Sequence, residues 1–293
     1  MDQRLTDQRV VELYDSFTHG LIDRRTFLDR LGDVAGSTAA ALALLPLLQN
    51  DYARAETVSA GDSRLVSETA SYDAAGTRMS GYLVRLKGEA KRPAVLVIHE
   101  NRGRNPHIED IARRLALEGF LTFAVDALSP QGGTPPDEDK AREMFEKLNL
   151  GDTARQIAAA VPFLAAHPGS TSAVGAVGFC WGGGMVNRIA VLSPALKAAV
   201  AYYGAQPPAA DVPKIHAALL LHYAGLDNRI NAGIPAYEEA LKAAGKQYTV
   251  YVYPNVNHAF NNDTTSRYDK PAADLAWSRT IAFLKDKLGA PPA

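Results

Sequence analysis

The single cysteine of this 293-residue chain, Cys180, lies among residues that suit a nucleophile. Residues 178–183 read Gly-Phe-Cys-Trp-Gly-Gly and begin at the end of an apolar run, 174–179, that is typical of a buried strand. Glycine two positions before and after the cysteine allows a strained turn from strand to helix, which presents the nucleophile at the sheet edge. The positive end of that helix would stabilise a thiolate. The alternative is that Cys180 is a small buried hydrophobic residue.

Two further residues follow in the order that an α/β-hydrolase requires, which is nucleophile, acid and histidine. Asp227 lies in a turn-like segment after the apolar run 218–222, and His258 follows a predicted strand at 248–253. His258 would accept the thiol proton, and Asp227 would orient the imidazole ring. The alternative for Asp227 is a turn or helix-capping carboxylate, which is common for aspartate beside glycine and asparagine.

The other histidines are interpreted as structural. His99 and His222 end strand-like apolar runs, where a buried histidine is typically a hydrogen-bonded core group. Four more histidines are interpreted as peripheral, namely His19, His107, His167 and His216. Because no histidine pair has the i, i+4 spacing with a carboxylate that zinc hydrolases use, we predict neither a metal site nor a cofactor.

Apolar runs alternate with helical patterns from residue 79 onward, which predicts an α/β fold with a mainly parallel sheet flanked by helices. The predicted strands are 79–86, 94–99, 121–125, 174–179, 198–203, 218–222 and 248–253, of which the first is expected at the outside. The predicted helices are 107–118, 138–148, 153–166, 183–192, 234–244 and 272–288. Parallel strands end at one edge of the sheet, so the three candidate residues can meet there.

Residues 1–55 allow two interpretations. Arg24-Arg25, an apolar run at 34–48 and the small-x-small sequence at 53–55 together resemble a twin-arginine export signal with its cleavage site, which would place the mature protein in the periplasm. The alternative is a helical arm retained in a cytoplasmic protein, because apolar residues at 10–21 recur at helical spacing. Five acidic residues also outnumber four arginines before Thr26, unlike most targeting segments. We expect a linker at 56–68 and an α/β-hydrolase domain at 69–289.

The composition restricts the partners. The chain has 31 Lys and Arg against 32 Asp and Glu, without the basic surplus typical of proteins that bind nucleic acid. No apolar run reaches the roughly 18 residues of a membrane span, so we expect no stable span in the mature body. A single cysteine excludes an intrachain disulfide. The expected partner is therefore a small molecule, and the helical arm could also support a homodimer.

Four separated motifs together resemble the dienelactone hydrolase family, the carboxymethylenebutenolidase-like α/β-hydrolases with cysteine as nucleophile. They are Val-Ile-His-Glu-Asn-Arg-Gly at 97–103, the segment 178–183, Leu-Asp at 226–227 and Asn-His-Ala-Phe at 257–260. The resemblance spans roughly residues 69–288. It implies an esterase that cleaves a small ester or lactone through an S-acyl intermediate on Cys180.

The resemblance also implies roles outside the triad. In the family, the residue corresponding to Glu100 helps to convert the thiol into a thiolate when substrate enters. The alternative for Glu100 is a loop carboxylate paired with Arg102. The backbone N–H groups of Asn101 and Trp181 would form the oxyanion hole. A substrate pocket is expected beside Arg102, Tyr203 and Phe260.

One family feature is missing. Two arginines hold the carboxylate of dienelactone in the family, but the matching segments here read Ala-Leu-Ser-Pro at 127–130 and Ala-Phe-Asn-Asn at 259–262. Arg102 or Arg267 could replace them, or each could be a structural cation. A different ester or lactone therefore fits as well as dienelactone. Acyl transfer and a non-catalytic binding or stress-response role are the alternative functions, since a fold does not guarantee turnover.

Overall fold

The seven predicted strands and one further strand form an eight-stranded sheet in this computed structural model, which describes residues 7–52 and 55–290. The strands are β1 Leu65–Ala74, β2 Thr77–Leu86, β3 Arg92–Ile98, β4 Leu121–Asp126, β5 Ser170–Phe179, β6 Ala198–Tyr202, β7 Ala218–Ala224 and β8 Tyr248–Tyr253. Their order is β1-β2-β4-β3-β5-β6-β7-β8. The β1–β2 and β2–β4 pairs are antiparallel, and all pairs from β4 to β8 are parallel. The predicted α/β-hydrolase fold is confirmed.

Helices cover both faces of the sheet. In the body they are α4 Pro106–Leu117, α5 Glu138–Glu146, α6 Leu150–Ala158, α7 Ala160–Ala166, α8 Trp181–Leu192, α9 Asn228–Asn231, α10 Ile234–Ala243 and α11 Lys270–Leu288. Alternate residues of a strand point to opposite faces, so β5 places Ala176 in one hydrophobic core and Val177 in the other. The helices α5 to α8 and α10 pack on the first core, and α4 and α11 pack on the second.

Two details differ from the sequence prediction. The predicted outer strand 79–86 lies second in the sheet, because β1 covers its edge and begins within the expected linker, at Leu65. The single helix predicted at 153–166 is wrong, since it is divided at Ala159 into α6 and α7. Pro162 lies in the first turn of α7, where its missing N–H does little harm, whereas inside a continuous helix it would remove a hydrogen bond.

Three helices precede the sheet, namely α1 Gln8–Thr18, α2 Arg24–Ala35 and α3 Thr38–Leu48. We call residues 7–52 the N-terminal arm. Its helices share a small core that includes Tyr14, Phe17, Phe27 and Leu44. Among the described residues, no single helix combines the length and apolar character of a membrane span; α2 and α3 reach them only together, bent by 109°. Two residues of the proposed cleavage sequence, 53–54, lie outside the described residues.

Candidate active site

The turn between β5 and α8 holds Cys180 in a strained conformation, with φ 55° and ψ −116°. A residue other than glycine in such a region costs on the order of 1–3 kcal/mol, so the surrounding structure must enforce it. A Cβ at Gly182 would lie 2.2 Å from the carbonyl oxygen of Ile98, and one at Gly178 would lie 2.2 Å from the carbonyl oxygen of Gly182. Only glycine permits these approaches. The predicted strand-to-helix turn is therefore present, with Cys180 at its apex.

The structure brings Asp227 and His258 to Cys180. His258 Nδ1 lies 2.5 Å from Asp227 Oδ2, and a ring nitrogen of His258 lies within 4.8 Å of Cys180 Sγ. The buried Nε2 of His258 has no hydrogen-bond partner among the described residues. Asp227 also caps α9 by accepting from the Ile230 N–H at 3.2 Å. Both interpretations of Asp227, orienting group and helix cap, thus describe contacts that its two carboxylate oxygens make.

The charges in this cluster favour an ionised thiol. Burial raises the pKa of Cys180, but the adjacent imidazoles of His258 and His19 outweigh it and lower that pKa to about 6. Burial lowers the pKa of His258, but the charges of Cys180 and Asp15 and the hydrogen bond to Asp227 raise it to about 10. At neutral pH the arrangement can therefore hold a thiolate beside an imidazolium, which is the reactive form of a cysteine nucleophile.

A histidine from the N-terminal arm also reaches the sulfur. His19 Nε2 lies 3.3 Å from Cys180 Sγ, and the His19 ring lies 5.0 Å from that of His258 in an edge-on arrangement. The interpretation of His19 as peripheral is therefore wrong. No local motif marks it, because 161 residues separate it from Cys180. The helical spacing of apolar residues at 10–21, which predicted an arm packed on the body, was the one available signal.

The remaining histidines divide differently than expected. His99 and His222 are fully buried and hydrogen-bonded, as predicted: His99 Nδ1 lies 2.6 Å from the Glu100 carbonyl oxygen, and His222 Nε2 lies 3.1 Å from Thr280 Oγ1. His107, expected at the periphery, is also fully buried, and its Nδ1 lies 2.9 Å from Asp263 Oδ1. Its place in the first turn of α4 faces the second core, which the sequence pattern did not reveal.

A cavity of about 390 Å³ opens onto the sulfur. Its lining from the body includes Asn101, Cys180, Trp181, Tyr203 and His258, and its lining from the arm is Thr18, His19 and Gly20. The backbone N–H groups of Asn101 and Trp181 have no acceptor among the described residues, so both are available to an oxyanion. The predicted pocket residue Tyr203 lies in this lining.

Two other predicted pocket residues lie elsewhere. Arg102 forms an ion pair with Glu138 and donates to the Tyr14 hydroxyl of the arm at 3.0 Å. Its positive charge is therefore balanced by the Glu138 carboxylate. Phe260 is fully buried in the second core, where it packs on tyrosines. The structure brings neither into the cavity. Arg267, the other suggested substrate cation, pairs with Asp15 at 3.1 Å.

Three arginines that the sequence did not single out line the cavity, namely Arg142, Arg188 and Arg229. Arg142 lies 3.2 Å from Glu146, and Arg229 lies 3.5 Å from Asp15. Arg188, on α8, has no polar partner within the part of the chain that the structure describes. The cavity wall therefore carries a cation that a ligand can use.

Glu100 is buried close to the site, but it does not pair with Arg102. Its Oε2 accepts from Asn262 Nδ2 at 2.8 Å, and no hydrogen bond joins it to Cys180 among residues 7–52 and 55–290. The alternative of a Glu100–Arg102 pair is not realised, because Arg102 is bound by Glu138 and Tyr14. The part played by Glu100 in forming the thiolate stays a prediction.

Two sets of described side chains have donor atoms close enough to hold a metal ion. They are His19, Cys180 and His258, and Asp15, Asp227 and His258, with donor atoms within 4.8 Å of one another in each set. One thiolate and two imidazoles are ligands that suit Zn²⁺. A search for sequence spacing cannot find such sets, since their members lie far apart in the chain. The same atoms are also those that the sequence predicts as a nucleophile and its base.

A strained cysteine after a parallel strand, followed along the chain by an aspartate and a histidine at the same sheet edge, matches the residue order of α/β-hydrolases. The chain belongs to the dienelactone hydrolase family, whose sequence model matches residues 79–288. It is accordingly a hydrolase that acts on esters or lactones. A second family model, described as YqhI-like, matches residues 2–36, which include the first part of the N-terminal arm.

Individual relatives agree with this assignment. A protein of Escherichia coli O157:H7 named "Putative carboxymethylenebutenolidase" is 32% identical over 244 residues, which cover 78% of this chain and 90% of the relative. The "Putative hydrolase fragment YghX" of Escherichia coli K12 is 45% identical over 112 residues, 37% of this chain and 96% of the fragment. The crystal structure of "Putative Dienelactone Hydrolase" from Klebsiella pneumoniae superimposes with a TM-score of 0.67 and 28% identity, covering 75% of this chain and 98% of that one.

Proposed function

We propose that the protein hydrolyses a small ester or lactone through a Cys180–His258–Asp227 triad and an S-acyl intermediate. The observation that carries the proposal is the geometry around Cys180, in the turn between β5 and α8. Cys180 is strained at the N-terminus of α8, a His258 ring nitrogen lies within 4.8 Å of its sulfur, and His258 Nδ1 lies 2.5 Å from Asp227 Oδ2. These are the roles of nucleophile, base and orienting acid.

The reaction follows from the charges. The Cys180 thiolate attacks the carbonyl carbon, and the N–H groups of Asn101 and Trp181 donate to the oxyanion. When the carbon–oxygen bond breaks, imidazolium His258 gives its proton to the leaving alkoxide and the acyl group stays on sulfur as a thioester. His258 then takes a proton from water, and the resulting hydroxide attacks the thioester carbonyl. Loss of the acid restores the thiolate and the imidazolium.

The cavity indicates the size and charge of the substrate. A volume of about 390 Å³ suits a small molecule, shared between apolar walls such as Trp181 and the cation of Arg188. An acyl or alcohol part that carries a carboxylate would give Arg188 an anionic partner. This arginine differs in position from those expected of the family at 127–130 and 259–262, so dienelactone itself is not implied.

Purified protein and its Cys180→Ala variant should be assayed against small aryl esters and lactones, with and without a carboxylate. We expect the variant to lose at least about 10³-fold in kcat, since the nucleophile is removed. Mass spectrometry of the parent, quenched during turnover, should show an acyl adduct on the peptide that contains residue 180. The exposed His216→Gln variant serves as the control and should keep full activity. Hydrolysis that survives Cys180→Ala would show that Cys180 is not the nucleophile. Esters formed from added alcohols would indicate acyl transfer.

A further inference from the structure

We propose that the N-terminal arm supplies a further catalytic residue: His19 hydrogen-bonds the Cys180 sulfur and helps to hold it as a thiolate before substrate binds. The inference deepens the proposed function and rests on the nucleophilic role of Cys180 given there. It assigns the arm, which lies outside the matched hydrolase region 79–288, to the active site.

The orientation of the His19 ring is fixed by its own helix. His19 caps the C-terminus of α1, and its Nδ1 lies 2.7 Å from the carbonyl oxygen of Asp15, one helical turn earlier. Nδ1 is therefore the donor to that carbonyl, which leaves Nε2 facing Cys180 Sγ at 3.3 Å. The chain then turns away at Gly20, whose φ of 71° is readily adopted by glycine.

Contacts on both sides of His19 hold the arm against the body. The carbonyl oxygen of Thr18 accepts from Asn101 Nδ2 at 2.6 Å, and the Tyr14 hydroxyl accepts from Arg102 at 3.0 Å. Asp15 lies 3.1 Å from Arg267 in an ion pair shielded from solvent. These bonds join the arm to the segment that also carries a proposed oxyanion donor, Asn101. The His19–Cys180 contact therefore lies within an interface of several polar contacts between the arm and the body.

The chemistry of the contact is a proton shared between sulfur and nitrogen. When the Cys180 S–H proton passes to an imidazole, a thiolate and an imidazolium remain, and two imidazoles, those of His19 and His258, face the sulfur. The Asp15 carboxylate oxygen Oδ1 lies 3.4 Å from His19 Nδ1, the ring nitrogen that does not face the sulfur. In that state His19 faces the thiolate, and His258 keeps the proton that the leaving group needs.

Other charged groups surround the pair. Arg229 Nη2 donates to His19 Nε2 at 3.1 Å and lies 3.5 Å from Asp15 Oδ2, so its cation lies beside the ring nitrogen that faces the sulfur. Asp227 is on the far side of His258, Tyr203 packs on the His258 ring, and Glu100 bonds Asn262. Burial raises the pKa of Cys180, and the charges of His258 and then His19, with the His19 hydrogen bond, bring it down to about 6.

The test uses the one cysteine of the full-length protein. The rate of Cys180 alkylation by iodoacetamide is measured from pH 4.5 to 9.5 for the parent, His19→Gln and His19→Asn, with exposed His216→Gln as the matched control. Both His19 variants should shift the midpoint of the profile upward and so slow alkylation at pH 6 several-fold, because one of two imidazoles facing the thiolate is lost. The midpoint is compared rather than the maximal rate, since a smaller side chain also widens the access to the sulfur.

Circular dichroism melting identifies any variant that does not fold. If one His19 variant does not fold, the alkylation profile of the other tests the inference. An unchanged midpoint in a folded His19 variant overturns the inference. Alkylation needs no substrate, so this result is separate from the proposed function, whose failure would be seen as ester hydrolysis that survives Cys180→Ala.

For a cleaved ester, kcat/KM of the His19 variants should fall several-fold at pH 6 and recover towards the parent value at pH 8.5. An equal loss at both pH values would contradict a role in thiolate formation.

Discussion

Asp227 divides its two oxygens between two tasks, orienting His258 at 2.5 Å and capping α9 through the Ile230 N–H at 3.2 Å. An Asp227→Asn substitution keeps one acceptor for the cap but removes the negative charge beside the imidazolium. We expect kcat for a cleaved ester to fall by about 10²- to 10⁴-fold with little loss of stability, as for other triads with a neutralised acid. Asp211→Asn, at a partly exposed aspartate paired with Lys214, is the control. Steady-state kinetics and thermal melting measure both effects, and near-parental kcat in Asp227→Asn would exclude the triad.

The pH dependence of hydrolysis should follow the two ionisations at the sulfur. Below a pH of about 6 Cys180 gains a proton and ceases to be a thiolate, because its lowered pKa lies there. Above about 10 His258 loses the proton that the leaving group needs, since its raised pKa lies there. We therefore expect kcat/KM to rise between pH 5 and 7, to stay level and to decline towards pH 10. A profile that rises only above pH 8, where an ordinary thiol ionises, would contradict the thiolate–imidazolium pair.

Among the site residues, the sequence identifies those that are characterised by the residues next to them in the chain. Cys180 is marked by flanking glycines, and Asp227 and His258 are marked by the strands before them, so their meeting follows from parallel strand ends. His19 and Arg188 carry no such mark. His19 reaches the site because a separate helical arm folds back over it, and Arg188 becomes a cavity residue only through the direction that α8 gives it. Such contacts depend on tertiary packing, which local spacing does not encode.

At the scale of elements, the close approach of α8 to β3 gives a stability prediction. A Cβ at Gly182 would lie 2.2 Å from the Ile98 carbonyl oxygen, whereas one at Gly184, two residues further on, would first meet Ala205 N at 3.4 Å, an ordinary contact. Gly182→Ala should therefore lower the free energy of unfolding by at least about 1–3 kcal/mol. Gly184→Ala should leave it unchanged or raise it by up to about 1 kcal/mol, because alanine suits a helix better. Urea unfolding measures both, and equal stability of the two variants would contradict this packing.

Among the strands and helices, the sequence pattern predicts some elements better than others. Strand β8 was predicted with the observed bounds, and the buried central strands were predicted within a few residues, since long apolar runs are needed where a strand is covered on both faces. Strand β1 was partly assigned to a linker. Half of its residues are exposed at the sheet edge, so its sequence lacks an apolar run. The division between α6 and α7 depends on one proline within a continuous helical pattern.

For the whole molecule, the relation between arm and body bears on the two interpretations of residues 1–55. The arm has its own core, and its ion pairs reach two parts of the body, Arg24 with Asp139 at 2.6 Å and Asp15 with Arg267 at 3.1 Å. It also forms one wall of the cavity. A twin-arginine signal cleaved near residue 55 would remove that wall together with His19. From these contacts we propose that the arm is retained, and the homodimer stays a prediction.

We accordingly expect protein isolated from its native cells to retain the arm and to fractionate with the cytoplasm. Edman sequencing or intact-mass measurement should find an N-terminus before His19. Replacing Arg24 and Arg25 by lysine, which blocks a twin-arginine signal but preserves the charge beside Asp139, should not change the fractionation. A mature N-terminus near residue 56 in a periplasmic fraction, lost in the double lysine variant, would instead establish export. Since cleavage would take His19 away from Cys180, that outcome would also confine any role of His19 to the protein before export.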